Sequence, residues 1–261
     1  MQKPLIKQYV HSSKFNMPEE IKTNCPFTLT EYRNLIEIAK KRFPFISYKD
    51  YKKHDTFILW RHDVEYSVNE MNKLAEINTE EGIKTTFFVQ LHCIFYNFWD
   101  KNNTGIFKNW LKWGHDIGLH FDCGYHNSIF NRLEELILKE KAILEDSLET
   151  QIYSFAYHNP NPEILKYHHN YGGLINTYNK DFLNSDIIYV SDSNGRWREK
   201  TLRGVLEDNK VKKVQSNLHD TWWTNERIPQ IKKLENALIK NAEEQIRIYK
   251  DTANIVVEDI I

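Results

Sequence analysis

The chain has 261 residues and a net charge of −1, enough length to bury a large core and no basic excess of the kind that nucleic acid or an anionic membrane surface demands. Its three cysteines, Cys25, Cys93 and Cys123, are widely spaced without a CxxC pair, which excludes a disulfide framework and a zinc ribbon and suits a reducing compartment. No apolar run has the length of a signal-peptide core or a bilayer span, so the expectation is a cytoplasmic protein with no membrane insertion and no nucleic-acid partner.

Residues 1–27 are polar and irregular and read as an arm, and residues 28–261 read as one domain. Thr28 or Thr30 can cap a helix over "EYRNLIEIAKKRF", whose Leu35, Ile36 and Ala39 share a face. A strand "TFILWRHD" follows, then an amphipathic helix "SVNEMNKLAEINTEEG" closed by Gly82. The pattern repeats with strand "KTTFFVQ", helix "TGIFKNWLKWG" and strand "HDIGLHF". The helix "NRLEELILKEKAILEDSL" carries Leu133, Leu136, Ile137 and Leu144 on one stripe, and its lysines and glutamates read as a solvated face. Strands "IYSFAYH", "GLINTY", "IIYVSD" and "KVQSNLH" come next, and a final helix runs from about 228 to 250. Such alternation predicts right-handed crossovers and a parallel sheet, open or closed as a barrel, with the chemistry where strands end.

Ionisable residues gather at those ends. Asp63 and Glu65 close the first strand, and His120 and Asp122 the third. His158 ends "IYSFAYH", Asp192 ends "IIYVSD", and His219 with Asp220 ends "KVQSNLHD". A lone histidine is usually structural, and His11, His54, His115, His168 and His169 are read that way. Five strand tips on one rim instead favour a metal or acid–base site. Carboxylate and imidazole suit zinc, and also iron, cobalt or manganese in open sites. Hydrolysis needs in addition one group to take a proton from water and one to protonate the leaving group.

The stretches "LWRHDVEYS", "TTFFVQ", "GHDIGLHFD", "YHNPNP", "YVSDSNGRW" and "LHDTWW" occur in the order of the motifs of the polysaccharide deacetylase (NodB-homology) family. The chain resembles its bacterial surface-polysaccharide branch over about residues 28–250. The resemblance implies a single-domain α/β fold, a distorted (β/α) barrel, and removal of an acyl group, usually N-acetyl, from a sugar with one divalent ion, zinc foremost. By position, Asp63 matches the catalytic base and Glu65 the metal-binding carboxylate, where aspartate is usual. His120 matches the first histidine ligand and His219 the general acid. Asp192 and Trp197 match a motif that orients that acid and walls the pocket.

The chain also departs from the family pattern. The position of the second histidine ligand holds Gly124, so the third ligand is His158 or, as the alternative, His126. A strand-end residue is held more rigidly, which favours His158. The arginine that braces the base is absent from "YHNPNP". Asn159 cannot replace its charge, which leaves Arg61 or Arg198. Trp197, Trp222 and Trp223 follow strand tips and offer either a platform for the C–H face of a sugar or plain packing. The expected substrate is an amino sugar or a nucleotide- or lipid-linked sugar precursor of a surface polysaccharide. Hydrolysis of a small non-sugar amide and glycan binding by a degenerate member are the other readings, and metal content separates a binder from the enzymes.

Overall fold

The structure is a computed structural model and describes residues 27–126, 129–183 and 186–258. The N-terminal arm, but for Phe27, therefore lies outside the described residues, as do Cys25 and His11.

Helix α1 spans Leu29–Lys40, and Thr28 is its cap, with Oγ1 accepting from the Glu31 amide at 3.1 Å. Strand β1 (Phe57–Val64) leads to α2 (Val68–Glu80), capped by Ser67. Then come β2 (Thr86–Val89), α3 (Lys101–Lys112), β3 (Asp116–Asp122) and α4 (Leu133–Leu148). The later part holds β4 (Ser154–His158), β5 (Ile175–Asn176), α5 (Lys180–Leu183), β6 (Ile187–Ser191), α6 (Leu202–Glu207), β7 (Lys213–His219) and α7 (Gln230–Glu258). The strand expected over "GLINTY" shrinks to two residues, because Asn176 instead takes the carbonyls of Tyr167 and His169 with its side-chain amide and makes a turn.

The seven strands form one sheet in the order β5-β4-β3-β2-β1-β7-β6, and every pairing is parallel. The sheet is rolled. Thr177, just past β5 at one edge, receives the Arg61 guanidinium from β1 at 3.2 Å, and its carbonyl accepts from Gln215 on β7 at 3.4 Å. Strands that far apart in a flat sheet could not touch, so the fold is a distorted, curled (β/α) barrel. Its bore is filled by alternate side chains of each strand. Phe88 of β2 lies over its register partner Gly118 on the adjacent β3, where an added Cβ would come within 2.5 Å of the ring. The remaining faces pack under the helices. His62, pointing out from β1, stacks on Phe87 and binds the Tyr32 hydroxyl at 2.8 Å. Burial pushes its imidazole down to about 3, so it stays neutral. That makes His62 structural.

Candidate active site

The period of two in a strand explains "RHDVE". Arg61 and Asp63 project into the bore while His62 and Val64 face the helices, and Glu65 continues the inward row past the strand end. In the neighbouring strand Asp63 stands in register with His219, and in β3 and β4 His120 pairs with Ala156 and Asp122 with His158. Four parallel strands thereby bring their last inward residues to one rim.

Glu65 is the centre. Its Oε1 lies 3.0 Å from His158 Nδ1, 3.3 Å from His120 Nε2 and 3.9 Å from His219 Nε2, and the two nearer nitrogens are 3.3 Å apart. The His120 Nδ1–H donates to the Ala156 carbonyl at 3.3 Å, so the neutral ring carries its lone pair on Nε2, the nitrogen that faces Glu65. Burial raises the Glu65 carboxyl, but the charge of His219 and the bonds to His120 and His158 outweigh it and hold the group well below its usual range. His158 moves the other way. Burial lowers it and the Glu65 carboxylate more than restores it, leaving it raised.

Asp63, 2% exposed, is gripped by Arg61, 0% exposed, through Nε to Oδ1 and Nη2 to Oδ2, both at 2.7 Å. Two parallel bonds between planar groups fix the carboxylate's plane as well as its charge. The guanidinium is itself held by Thr177 and lies over the Phe88 ring at 4.9 Å. Burial pushes Asp63 up, and Arg61 with the nearby imidazoles pulls it below its ordinary value. The buried guanidinium beside Asp63 is thus Arg61, from β1. Arg198 lines the cavity instead.

At the other wall, Asp192 takes three donors: His219 Nδ1–H at 2.6 Å, the His219 amide at 3.2 Å and Trp223 Nε1–H at 2.8 Å. Burial lowers the His219 imidazole, but Glu65 and Asp192 raise it to about 9. Burial also raises Asp192. The pair shares one proton, and three donors on the carboxylate place that proton on His219. The adjacent Asp220 accepts from the Tyr66 and Ser67 amides at 2.8 and 2.6 Å, tying the β1–α2 loop to the end of β7.

Asp63, Glu65, His120 and His219 line one cavity together with Asn159, Pro160, Ser193, Asn194, Arg198, Asn217 and the tyrosines Tyr66, Tyr157, Tyr178 and Tyr189. Asn159 and Asn194 hold positive φ, 43° and 58°, the left-handed turn that asparagine tolerates best after glycine. Trp197 and Trp222, expected as walls or a sugar platform, are buried at 3% and 5% and stand outside this lining. Trp197 packs on Phe27 and Trp223, and Trp222 meets Tyr66 edge-on. They follow their strand tips, but the chain turns them back under the surface. The aromatic surface of the cavity is tyrosine. Its signal was position: Tyr157, Tyr178 and Tyr189 each sit within a few places of a strand end.

His126 sits elsewhere. It joins His92 and Glu140 in a separate cluster, its Nε2 lying 2.5 Å from Glu140 Oε1. Glu140 corrects the reading of its helix as solvated on every polar position, since only 3% of the residue is exposed. Burial, with Asp122 nearby, raises its carboxyl to about 8.

The solved structures to which the chain is similar in fold are carbohydrate esterases of the CE4 family and polysaccharide deacetylases. The peptidoglycan deacetylase PdaC from Bacillus subtilis is 12% identical with a TM-score of 0.44, over 78% of this chain and 98% of that one. A family 4 carbohydrate esterase from Bacillus anthracis is 14% identical with a TM-score of 0.40, over 82% and 86%. A mutant CE4 family pseudoenzyme, described as having restored enzymatic activity, is 14% identical with a TM-score of 0.40 over 74% of this chain, which spans 64% of that protein's length. No family model matches the chain. No curated protein matches it.

Proposed function

We propose that the protein is a metal-dependent deacylase that removes an acyl group, foremost N-acetyl, from an amino sugar. The observation that carries this reading is the convergence of Glu65, His120 and His158 on one point, with Asp63 and His219 on either side of it. The donor set fits a divalent ion. One carboxylate and two imidazoles lie within reach of a shared centre, and His120 already has its far nitrogen engaged with a backbone carbonyl. His158 completes the set once the Asn159 side chain, 2.8 Å from its Nε2, presents oxygen to that N–H and leaves Nδ1 its lone pair. When bound, a zinc-class ion supplies Lewis acidity and a water of lowered pKa.

The remaining work belongs to the chain. Asp63 takes the proton of the attacking water, and Arg61 holds its carboxylate in one plane so that the accepting oxygen faces the cavity. His219, protonated through Asp192, gives its proton to the departing amine. Tyrosine faces pack on the C–H surface of the sugar, and Arg198, Asn194 and Asn217 offer hydrogen bonds to its hydroxyls. A nucleotide- or lipid-linked precursor of a surface polysaccharide is the substrate class. Free thiols at Cys93 and Cys123 support a cytoplasmic location, and no helix among the described residues is long and apolar enough to cross a membrane.

Release of acetate from N-acetylated amino sugars, free and nucleotide-linked, tests the reading. Zinc-loaded protein is expected to release it, chelation to stop it, and Asp63→Asn to slow it about 10²–10⁴-fold with the ion retained. No acetate from any of these substrates with a full metal complement would overturn the assignment.

A further inference from the structure

The sequence has eleven histidines. Two of them, His92 and His126, stand apart from the candidate active site and share a buried acidic residue. His92 follows β2, His126 follows β3, and Glu140 lies in the middle of α4. Glu140 Oε1 is 2.5 Å from His126 Nε2 and 3.2 Å from His92 Nε2, and the three donor atoms all lie within 4.8 Å of one another. Aromatic contacts orient both rings. His92 stacks on Tyr125 with centroids 3.5 Å apart and planes 5° apart, and His126 stacks on Phe121 at 5.2 Å and 14°. The two imidazole planes stand 88° to each other, so their nitrogens approach the carboxylate from different directions.

Glu140 is 3% exposed, and its second oxygen, Oε2, is buried with no hydrogen-bond partner among the described residues. A buried carboxyl oxygen with no partner is costly, and a lone acidic residue in an apolar helical stripe calls for an explanation. Leu133, Leu136, Ile137, Leu144 and Leu148 make up the rest of that buried stripe. Arginine or lysine would be the ordinary partner of a buried glutamate. Here the near groups are two imidazoles, whose ring nitrogens can bind an ion through a lone pair.

We propose that His92, His126 and Glu140 bind a second divalent transition-metal ion, of the zinc class. Two imidazole nitrogens and one carboxylate make the N2O donor set typical of zinc with one position left to water. The ion joins the loop after β2, the loop after β3 and α4, three segments that otherwise meet through few polar bonds. Its place in the fold is beside the active site rather than in it. Asp122 stands in register with His158 and lies four residues before His126 in the chain. Gln90, two residues before His92, reaches within 3.5 Å of His158. An ion at the second site therefore stiffens the wall behind a residue of the first. This proposal does not rest on the deacylase reading.

Stripped protein titrated with zinc alone, with bound metal counted by elemental analysis after desalting, provides the test. Wild type is expected to hold two ions per chain. His92→Ala and His126→Ala should each hold one, His158→Ala should hold one, and His126→Ala/His158→Ala none. Zinc should also raise the unfolding midpoint of His158→Ala and leave that of the double variant unmoved. His92 and His126 are partly exposed loop residues, and circular dichroism is the check that each variant folds. If either alanine variant misfolds, the other decides. A single ion lost in His126→Ala and kept in His158→Ala would sustain this proposal and defeat the site proposed above. A single ion lost only in His158→Ala, or two ions retained in both His92→Ala and His126→Ala, would overturn it.

Discussion

Replacing Arg61 by methionine in metal-stripped protein probes how the proposed base is held. The substitution keeps a long apolar stem in the bore and deletes both 2.7 Å bonds to Asp63. Asp63 is then a carboxylate at 2% exposure with no formal cation bonded to it. Breaking one partner out of a buried pair costs about 3–5 kcal/mol, most of it the cost of leaving the other charge desolvated. The cost depends on pH in a defined direction. In the wild type the Asp63 carboxyl sits below its ordinary value, so its stabilising contribution is present above an unfolded value of about 4 and lost as pH falls through the folded one. Without Arg61, burial becomes the dominant influence and raises the carboxyl above about 4. The carboxylate then opposes folding at neutral pH and ceases to do so once protonated. Urea unfolding of both proteins, followed by tryptophan fluorescence at pH 7 and pH 4, should show a gap of about 3–5 kcal/mol that narrows in acid. Adding Asp63→Leu to Arg61→Met should recover most of the loss, since an apolar pair of similar volume removes the stranded charge. A gap under about 1 kcal/mol at pH 7, or one independent of pH, would refute the account.

His219 gives the opposite sign of pH dependence. Raised to about 9 in the metal-free fold, it contributes stability that is complete below its unfolded value of about 6.5 and is lost as pH rises through about 9. Thermal melts between pH 7 and 10 should fall, and Asp192→Asn should flatten that fall. In the loaded enzyme, His219→Ala is expected to lower kcat about 10²–10⁴-fold, with KM little changed, in a steady-state assay of acetate release. Gly118→Ala should cost about 1–3 kcal/mol by urea titration, because its Cβ meets the Phe88 ring, which Arg61 covers from above.

Much of this was legible in the sequence because strand periodicity is a hard geometric rule. Alternation put Arg61, Asp63 and Glu65 on one face of β1, and the position of each histidine relative to its strand end placed it on the rim. The capping threonine, Thr28, and the glycine closing α2 follow from local hydrogen bonding, and both elements came out within a few residues. What local rules left open was the path of loops. Nothing near His126 in sequence says that its ring turns to α4, and nothing near Trp222 says that the chain folds it back under the surface. Glu140 is different, since its signal was present. Residues 133, 136, 137, 140, 144 and 148 share one helical stripe, and a lone carboxylate among leucines and isoleucine is an anomaly to be explained. Lysines and glutamates flanking it on the solvated side masked it.

The placement of β7 has a consequence for how the chain acquires this shape. Strand β1 pairs with β7 from Phe57 to Asp63, and the Ser216 hydroxyl donates to the Leu59 carbonyl across 157 positions of sequence. On a ribosome, β1 through β4 can join as they emerge, each helix crossing over to the next strand. One edge of β1 then waits, its amides and carbonyls bare, until nearly the whole chain has been made. Asp63 and His219 are neighbours in register across that last seam. Chains interrupted before residue 213 would carry half the rim and a naked hydrophobic strand edge, and would lack His219, the proposed acid. Closing the seam is thus both the longest-range pairing in the sheet, costly in loop-closure entropy, and the step that brings the proposed base and acid together.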